Sequence, residues 1–149
     1  MNTSFVRILG GSAIVAVALA ASARAAAPVG QYTVTATTVY DVKTKLTWQR
    51  THPTTLYNLS DAKTYCVGLS LGGTGWRLPT TKELQTIVDY SQATPPTIDR
   101  TAFPGTFSDH FWSSTANMGA PFNGWSVTFY FGGTSSEILS ATHYVRCVR

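Results

Sequence analysis

Charge and cysteine are both scarce in this chain of 149 residues. Charged side chains make up 12% of it, and they form no basic run or stripe, which argues against a nucleic-acid partner. Only two cysteines are present, and they do not form a C-x-x-C pair. Internal repeats, low-complexity tracts and long linkers are absent as well. These absences favour a single globular domain with a lightly charged surface.

Near the amino terminus, Arg7 is followed by an uncharged run, Ile8–Ala20, which contains only apolar and small residues. A bilayer-spanning helix needs roughly 20 apolar residues, so this run is too short for one. Small residues follow it, and two A-x-A cleavage sites compete, of which we favour the one ending at Ala25. We expect residues 1–25 to be a secretory signal peptide and 26–149 to be one domain. A retained anchor or a buried apolar helix is the alternative.

The predicted signal peptide determines where the mature domain should be found. The mature domain is expected to be exported, in the periplasm, on the cell surface or in the medium, without a membrane span after cleavage. Cys66 and Cys147 both lie in the exported part, where an even pair is most simply a disulfide. Closing so long a loop stabilises a fold by roughly 4 to 5 kcal/mol in the chain-entropy model. A redox or metal-binding thiol is the alternative, but neither cysteine has a histidine or acidic residue at ligand spacing.

The first half of the mature chain predicts a hairpin and two helices. Residues 32–40 and 46–49 have the Val, Thr and Tyr content of an opening hairpin. Apolar residues from Ala62 to Leu69 have helical spacing, which predicts a helix capped by Ser60 and ending at Gly72, with Cys66 facing inward.

The second helix is marked more clearly. Thr80 and Glu83 form a capping box after Pro79, and the helix is expected to end by about Tyr90. Its buried stripe should consist of Leu84, Ile87 and Val88.

Strand signals fill the second half. Segments 111–114 and 125–131 predict strands, and in the second of them Trp125, Val127, Phe129 and Phe131 form one apolar face. Residues 137–139 should pair back, and 144–148 should form a last strand that carries Cys147. Two helices followed by antiparallel strands make an α+β domain. This order of elements matches the plan of a C-type lectin-like fold, but periodicity alone does not select that fold.

Five phrases of the sequence together resemble one family. They are Asp41–Arg50 (DVKTKLTWQR), Ala62–Cys66 (AKTYC), Gly75–Leu84 (GWRLPTTKEL), Phe111–Thr115 (FWSST) and Tyr144–Arg149 (YVRCVR). In this order they resemble the Lcl C-terminal domain family of bacterial secreted proteins, over about 37–149. The resemblance implies a C-type lectin-like fold with two helices packed on antiparallel strands and one long-range disulfide. It also implies an extracellular recognition module whose ligands are glycans or proteins.

The GWRLP phrase also resembles formylglycine-generating enzymes, which would make the chain a small extracellular enzyme. Those enzymes need reactive thiols, whereas both cysteines here are more simply used in a bridge, so we expect no catalytic activity. Trp76 then belongs to the core, and Arg77 pairs with Glu83 or Asp89.

Cofactor chemistry is not expected. His52, His110 and His143 lie in separate segments without metal-ligand spacing, so we expect surface histidines and no metal. Ser108-Asp109-His110 contains the three residue types of a catalytic triad. The side chains of adjacent residues diverge, whereas a triad needs side chains that converge from separate elements. The sequence also lacks the Glu-Pro-Asn, Gln-Pro-Asp and Trp-Asn-Asp tripeptides of calcium-dependent lectins.

A ligand is therefore expected at the loop region 95–124, because loops on a rigid scaffold carry recognition. The candidate ligand-binding residues are Asp109, His110, Asn117, Asn123 and Tyr130. An ordinary solvated loop with Phe122 and Trp125 packed inward is the alternative.

We expect a non-catalytic binding module for a glycan or protein. An enzyme related to the formylglycine-generating group and a structural envelope component are the competing functions.

Overall fold

The computed structural model describes residues 28–149, so the expected signal peptide lies outside the described residues. The elements in chain order are β1 (Tyr32–Val34), β2 (Thr38–Asp41), β3 (Thr47–Gln49), α1 (Leu59–Val67), α2 (Thr81–Thr86), β4 (His110–Ala116), β5 (Asn123–Thr128) and β6 (Thr134–Ile138). The strands form two three-stranded antiparallel sheets, β1-β2-β3 and β4-β5-β6. The α+β class is confirmed. No helix in the described range is long and apolar enough to cross a membrane.

The predicted first strand is wrong in its extent, because residues 32–40 form two strands instead of one. The Thr35 hydroxyl accepts hydrogen bonds from the backbone N–H groups of Thr37 and Thr38 at 3.3 and 2.9 Å, which closes a turn between β1 and β2. The chain turns again after Asp41, whose buried carboxylate accepts from the Lys43 N–H and the Thr44 hydroxyl. Local side-chain bonds of this kind compete with an extended strand.

The carboxyl-terminal residues 144–149 join three parts of the fold. The N–H groups of Thr47 and Gln49 donate to the carbonyls of Arg149 and Cys147 at 2.8 and 2.9 Å. Val148 also bridges to Arg77, and Tyr144 bridges in parallel to Phe111 on β4. The segment makes isolated bridges instead of the predicted regular strand, because it changes partners every few residues.

Helix α1 is capped by Asn58, so the prediction that Ser60 caps it is wrong. The Asn58 side chain accepts from the Asp61 N–H at 2.9 Å. The helix ends at Val67 with Gly68 as its C-cap, before the predicted exit at Gly72. Its buried residues are Leu59, Ala62 and Cys66.

The disulfide between Cys66 and Cys147 is confirmed. The two Cα atoms are 5.4 Å apart and the sequence separation is 81 residues. The bond fastens the end of α1 to the carboxyl-terminal segment. Around it packs one cluster of buried residues, made of Leu59, Ala62, Trp76, Leu78, Trp112 and Val145. Trp76 is therefore a core residue, as expected.

Helix α2 has the predicted capping box. Thr80 accepts from the Glu83 N–H, and the Glu83 carboxylate accepts from the Thr80 N–H at 2.7 Å. Leu84 and Ile87 are buried, whereas Val88 is partly buried. The helix ends at Thr86, earlier than predicted, and the Asp89 carboxylate then accepts from the Ser91 N–H in a turn.

The main core lies between the two sheets and α2. Its buried residues are Val39, Trp48, Leu84, Ile87, Ile98, Ala102, Phe103, Phe111, Val127, Phe129 and Val148. The β4-β5-β6 sheet contacts this core on one face and the disulfide cluster on the other, so Ser126 and Thr128 are buried as well. Phe131, which the alternation placed inside, is exposed because β5 ends at Thr128.

Arg77 pairs with Glu83, one of the two partners expected from the sequence. Two hydrogen bonds join the guanidinium to the carboxylate, at 2.8 and 2.6 Å. The bonds from Arg77, with those from Thr80, outweigh burial and lower the pKa of Glu83 from 4.5 to about 2. The ion pair and the capping box therefore share one carboxylate.

Replacing Glu83 with glutamine is expected to cost about 1 kcal/mol of stability at pH 7, since it removes the charge from the cap and from the pair. The folded-state pKa is lowered, so this contribution is complete above pH 4.5 and is lost as the pH falls through about 2. Urea unfolding at several pH values should show the two proteins converging in acid. Asp109→Asn serves as the control, because within residues 28–149 that carboxylate accepts one hydrogen bond, from the N–H of its neighbour His110. A difference that stays constant down to pH 2 would contradict the assignment.

Candidate functional site

The structure separates the five predicted ligand-binding residues into two groups. Along the β4-β5 ladder His110 pairs with Thr128, and Ala116 pairs with Gly124. Six residues of strand separate these pairs, about 20 Å at the usual rise per residue. Asp109, His110 and Tyr130 lie at one end, and Asn117 and Asn123 lie at the other. The segment 95–124 is also not a single loop, since it contains β4 and the start of β5.

At the first end, His110 meets His143 and Glu137, a contact that the sequence did not indicate. The centres of the two rings are 5.4 Å apart. The two oxygens of the Glu137 carboxylate each approach one ring, Oε1 at 3.9 Å from His110 Nδ1 and Oε2 at 3.9 Å from His143 Nε2. His110 Nδ1 is also 3.0 Å from the Ser126 hydroxyl. Burial lowers the pKa of His143, although the neighbouring Glu137 carboxylate opposes the shift. Within residues 28–149, no group of three His, Cys, Asp or Glu side chains could hold a metal ion.

His52 contradicts the expectation of surface histidines. Its side chain is buried, with ring nitrogens 2.8 and 3.1 Å from the carbonyls of Pro53 and Gly105. It lies edge-on to Phe111 at 5.0 Å. Burial and the nearby Arg146 cation both lower the pKa of His52. This histidine belongs to the core and not to a ligand site.

At the second end, Asn117 and Asn123 are brought together by Ser136 of β6. Both amide nitrogens donate to the Ser136 hydroxyl, at 2.8 and 3.1 Å. The Asn117 oxygen accepts from the Gly119 N–H and so holds the turn that joins β4 to β5. Two predicted residues and one unpredicted residue thus form a fixed polar cluster.

A groove of about 510 Å³ opens beside this cluster, and we call it the sheet-end groove. Its lining residues are Leu59, Ser60, Lys63, Ser114, Thr115, Ala116, Asn117, Met118, Pro121, Asn123, Gly124 and Leu139. A Cβ atom at Gly124 would lie 2.8 Å from Leu59 Cδ2 and 3.1 Å from Trp112 Cζ3, so glycine at this position lets the Leu59 side chain approach β5 closely. Most of the lining residues therefore belong to α1, β4 and β5, and the turn between β4 and β5 supplies part of the rim.

The turn at the rim of the groove exposes apolar side chains. Met118 is 91% exposed and Phe122 is 81% exposed. The inward packing of Phe122, which belonged to the alternative of an ordinary solvated loop, is therefore wrong. Its backbone carbonyl is used instead, since it accepts from the Leu139 N–H at 3.0 Å. The ring is left free at the surface next to the groove.

A second groove, of about 530 Å³, lies on the α2 side of the same sheet, and we call it the tryptophan groove. Its lining residues are Thr80, Thr81, Lys82, Gln85, Thr115, Trp125 and Thr134. Trp125 is half-buried, which only partly agrees with the inward packing expected of it. Thr115 lines both grooves, so they adjoin at the end of β4.

These features define a class of protein, a small α+β domain closed by one long-range disulfide, with both cysteines used in that bond. More narrowly, the chain belongs to the Lcl C-terminal domain family, whose sequence model matches residues 37–149. The match confirms the resemblance carried by the five sequence phrases. No curated protein matches the chain.

Proposed function

We propose that this chain is an exported, non-catalytic binding module that holds a glycan or protein ligand in the sheet-end groove. The observation that carries the proposal is the junction of this groove with the Asn117, Asn123 and Ser136 cluster. An apolar cavity with a few fixed polar groups is the usual composition of a ligand site, and the volume lies within the usual range of roughly 300–1,000 Å³.

The rigidity of the groove supports the same function. One wall is the first turn of α1, which Asn58 caps, and the floor is formed by β4 and β5. The Leu59 N–H donates to the Leu139 carbonyl, so α1 is tied to the segment after β6. A site held by packed elements loses little conformational entropy when a ligand binds.

We also propose the C-type lectin-like plan within the α+β class. Its support is the closure of the domain, in which residues 147–149 pair with β3 while Cys147 bonds to α1. Export is supported by the same disulfide, because such bonds persist in oxidising compartments and are rare in the cytosol.

A glycan and peptide array probed with the mature protein, with and without chelator, tests the function. We expect hits that the chelator does not change. An array without hits, together with self-association of the protein, would favour a structural envelope component. Substrate turnover that Cys66→Ser abolishes without unfolding the domain would favour an enzyme.

Variants on α1 locate the binding surface. Ser60 is exposed and lines the groove, so Ser60→Phe should fill it and reduce array binding at least about tenfold. Val67→Phe is the matched control, because Val67 is exposed on the same helix and does not line the groove. Equal binding by both variants would place the ligand elsewhere.

A further inference from the structure

Trp125 differs from the other tryptophans of the chain in its exposure. Trp48, Trp76 and Trp112 are at most 2% exposed, whereas Trp125 is half-buried in the wall of the tryptophan groove. The chain contains four tryptophans in all. One indole thus offers part of its surface to solvent, inside a concave site.

Polar side chains border this indole on both sides. Lys82 and Gln85 project from α2 and are exposed, and Thr134 is exposed on β6. The Thr81 and Thr115 side chains are engaged within the protein, since Thr81 bonds to Ser113 and its N–H donates to the Thr115 hydroxyl. The bonded Thr81 and Thr115 side chains hold the wall of the tryptophan groove in place. The side chains of Lys82, Gln85 and Thr134 can then form hydrogen bonds to a ligand.

The Asn117, Asn123 and Ser136 cluster lies beside the indole. Ser136 pairs directly with Trp125 across β5 and β6, and paired residues of antiparallel strands have side chains on the same face. Asn123 is two residues before Trp125 on β5 and shares that face. The cluster therefore extends the polar border of the tryptophan groove toward the sheet-end groove.

The position of Trp125 argues against a peptide strand as its ligand. β5 is the central strand, and β4 and β6 occupy its two edges. An extended peptide binds a sheet by adding to a free edge, which is not present at Trp125. A ligand over the indole must make its contacts through side chains.

We infer that the tryptophan groove is a subsite for a neutral pyranose ring. This inference rests on the proposed binding function and specifies its ligand as a glycan. A pyranose has an apolar face of C–H groups that can lie against the indole, and hydroxyls at its rim that can bond Gln85, Lys82 and Thr134. An apolar body with a polar rim matches this groove.

Tryptophan fluorescence provides a direct test. The other three indoles are buried, so a change in emission caused by a ligand reports on Trp125. The mature wild-type protein is titrated with methyl glycosides of glucose, galactose, mannose and N-acetylglucosamine and with linear oligosaccharides of these sugars. We expect a saturable change with at least one probe. No change with any probe would overturn the inference.

Variants test whether the sugar binds in the tryptophan groove. Their binding is measured by calorimetry, because Trp125→Ala removes the fluorescent indole that reports on the ligand. Trp125→Ala should weaken binding at least about tenfold, and Trp125→Phe, which keeps an aromatic face, should weaken it less. Gln85→Ala, at an exposed helix position, should weaken it about threefold without affecting folding. Phe122→Ala is the control, since this exposed ring does not line the groove. Unchanged binding by the folded Trp125→Ala protein would overturn the inference. If that protein does not fold, wild-type binding by both single variants, Gln85→Ala and Trp125→Phe, would overturn it.

The two proposals fail in different ways. Peptide hits on the array that Ser60→Phe removes, with no response to any sugar, would refute the pyranose subsite and leave the binding module standing. An array without hits, together with no sugar response, would refute both.

Discussion

Replacing Cys66 and Cys147 together with serine is expected to lower the free energy of unfolding by about 4 kcal/mol. The bond closes a loop with a sequence separation of 81 residues, and its removal returns that conformational freedom to the unfolded chain. Both sulfur atoms are also buried among apolar side chains, where serine hydroxyls would need new partners. A loss of this size is a large part of the stability of a domain this long.

Urea unfolding of the wild type, the double variant and the reduced wild type measures this effect. The double variant and the reduced protein should be destabilised alike, because each lacks the bond. Val67→Ser is a suitable control, since it places a hydroxyl beside Cys66 at an exposed position. A difference below about 1 kcal/mol between the double variant and the wild type would contradict the prediction.

Replacing Arg146 with methionine should cost at least about 3 kcal/mol, the second large effect. Arg146 is completely buried, and its guanidinium donates to the carbonyls of Gln49 and Arg50 at 2.8 and 2.6 Å and to the Thr106 hydroxyl at 2.7 Å. Removing the donor leaves the Gln49 and Arg50 carbonyls without this partner, at a cost of roughly 1 to 3 kcal/mol for each acceptor left unpaired. The Thr106 hydroxyl loses one bond as well, but it still donates to the Phe103 carbonyl at 2.8 Å.

The surroundings of Arg146 make it more than a hydrogen-bond donor. Its guanidinium lies 4.9 Å from the centre of the Phe103 ring and 5.9 Å from that of Phe111, in cation–π geometry. Burial lowers the pKa of Arg146 to about 9, so the group still carries its charge at neutral pH. The cation in turn lowers the pKa of His52.

Two measurements test the role of Arg146. Urea unfolding gives the loss of stability, and an NMR titration of His52 should show that its pKa rises once the cation is removed. Arg100→Met is the control, because Arg100 bonds the Pro95 carbonyl at 3.0 Å but is exposed. We expect that control to lose less than about 1 kcal/mol. A folded Arg146→Met protein with wild-type stability and an unchanged His52 pKa would contradict this account.

Features fixed by neighbouring residues could be predicted from the sequence. The capping box of Thr80 and Glu83 needs only a spacing of three residues, and the structure has it. The disulfide was predictable because the chain has two cysteines. The choice between Asn58 and Ser60 as the cap of α1 was not, since both are good caps. A distant contact, the bond from the Leu59 N–H to the Leu139 carbonyl, accompanies the observed start of the helix.

Features that depend on distant contacts were missed. Arg146 alternates with Val145 and Cys147, a pattern that places it on the solvent side of a surface strand. The segment instead lies between the two buried clusters, so residues on both of its sides are buried. Similarly, the sequence could not show that Ser136 joins Asn117 to Asn123, or that Trp125 is the partly exposed tryptophan.

The carboxyl-terminal segment has a consequence for biosynthesis. Its residues supply the second sulfur of the disulfide, the partners of β3 and Arg77, and the buried guanidinium. Ribosomes make these residues after all the elements that they join. A nascent chain that ends before Tyr144 therefore cannot close its core or form its disulfide. Until these residues are made, the chain therefore lacks the disulfide, the strand partners of β3 and Arg77, and the buried cation at once.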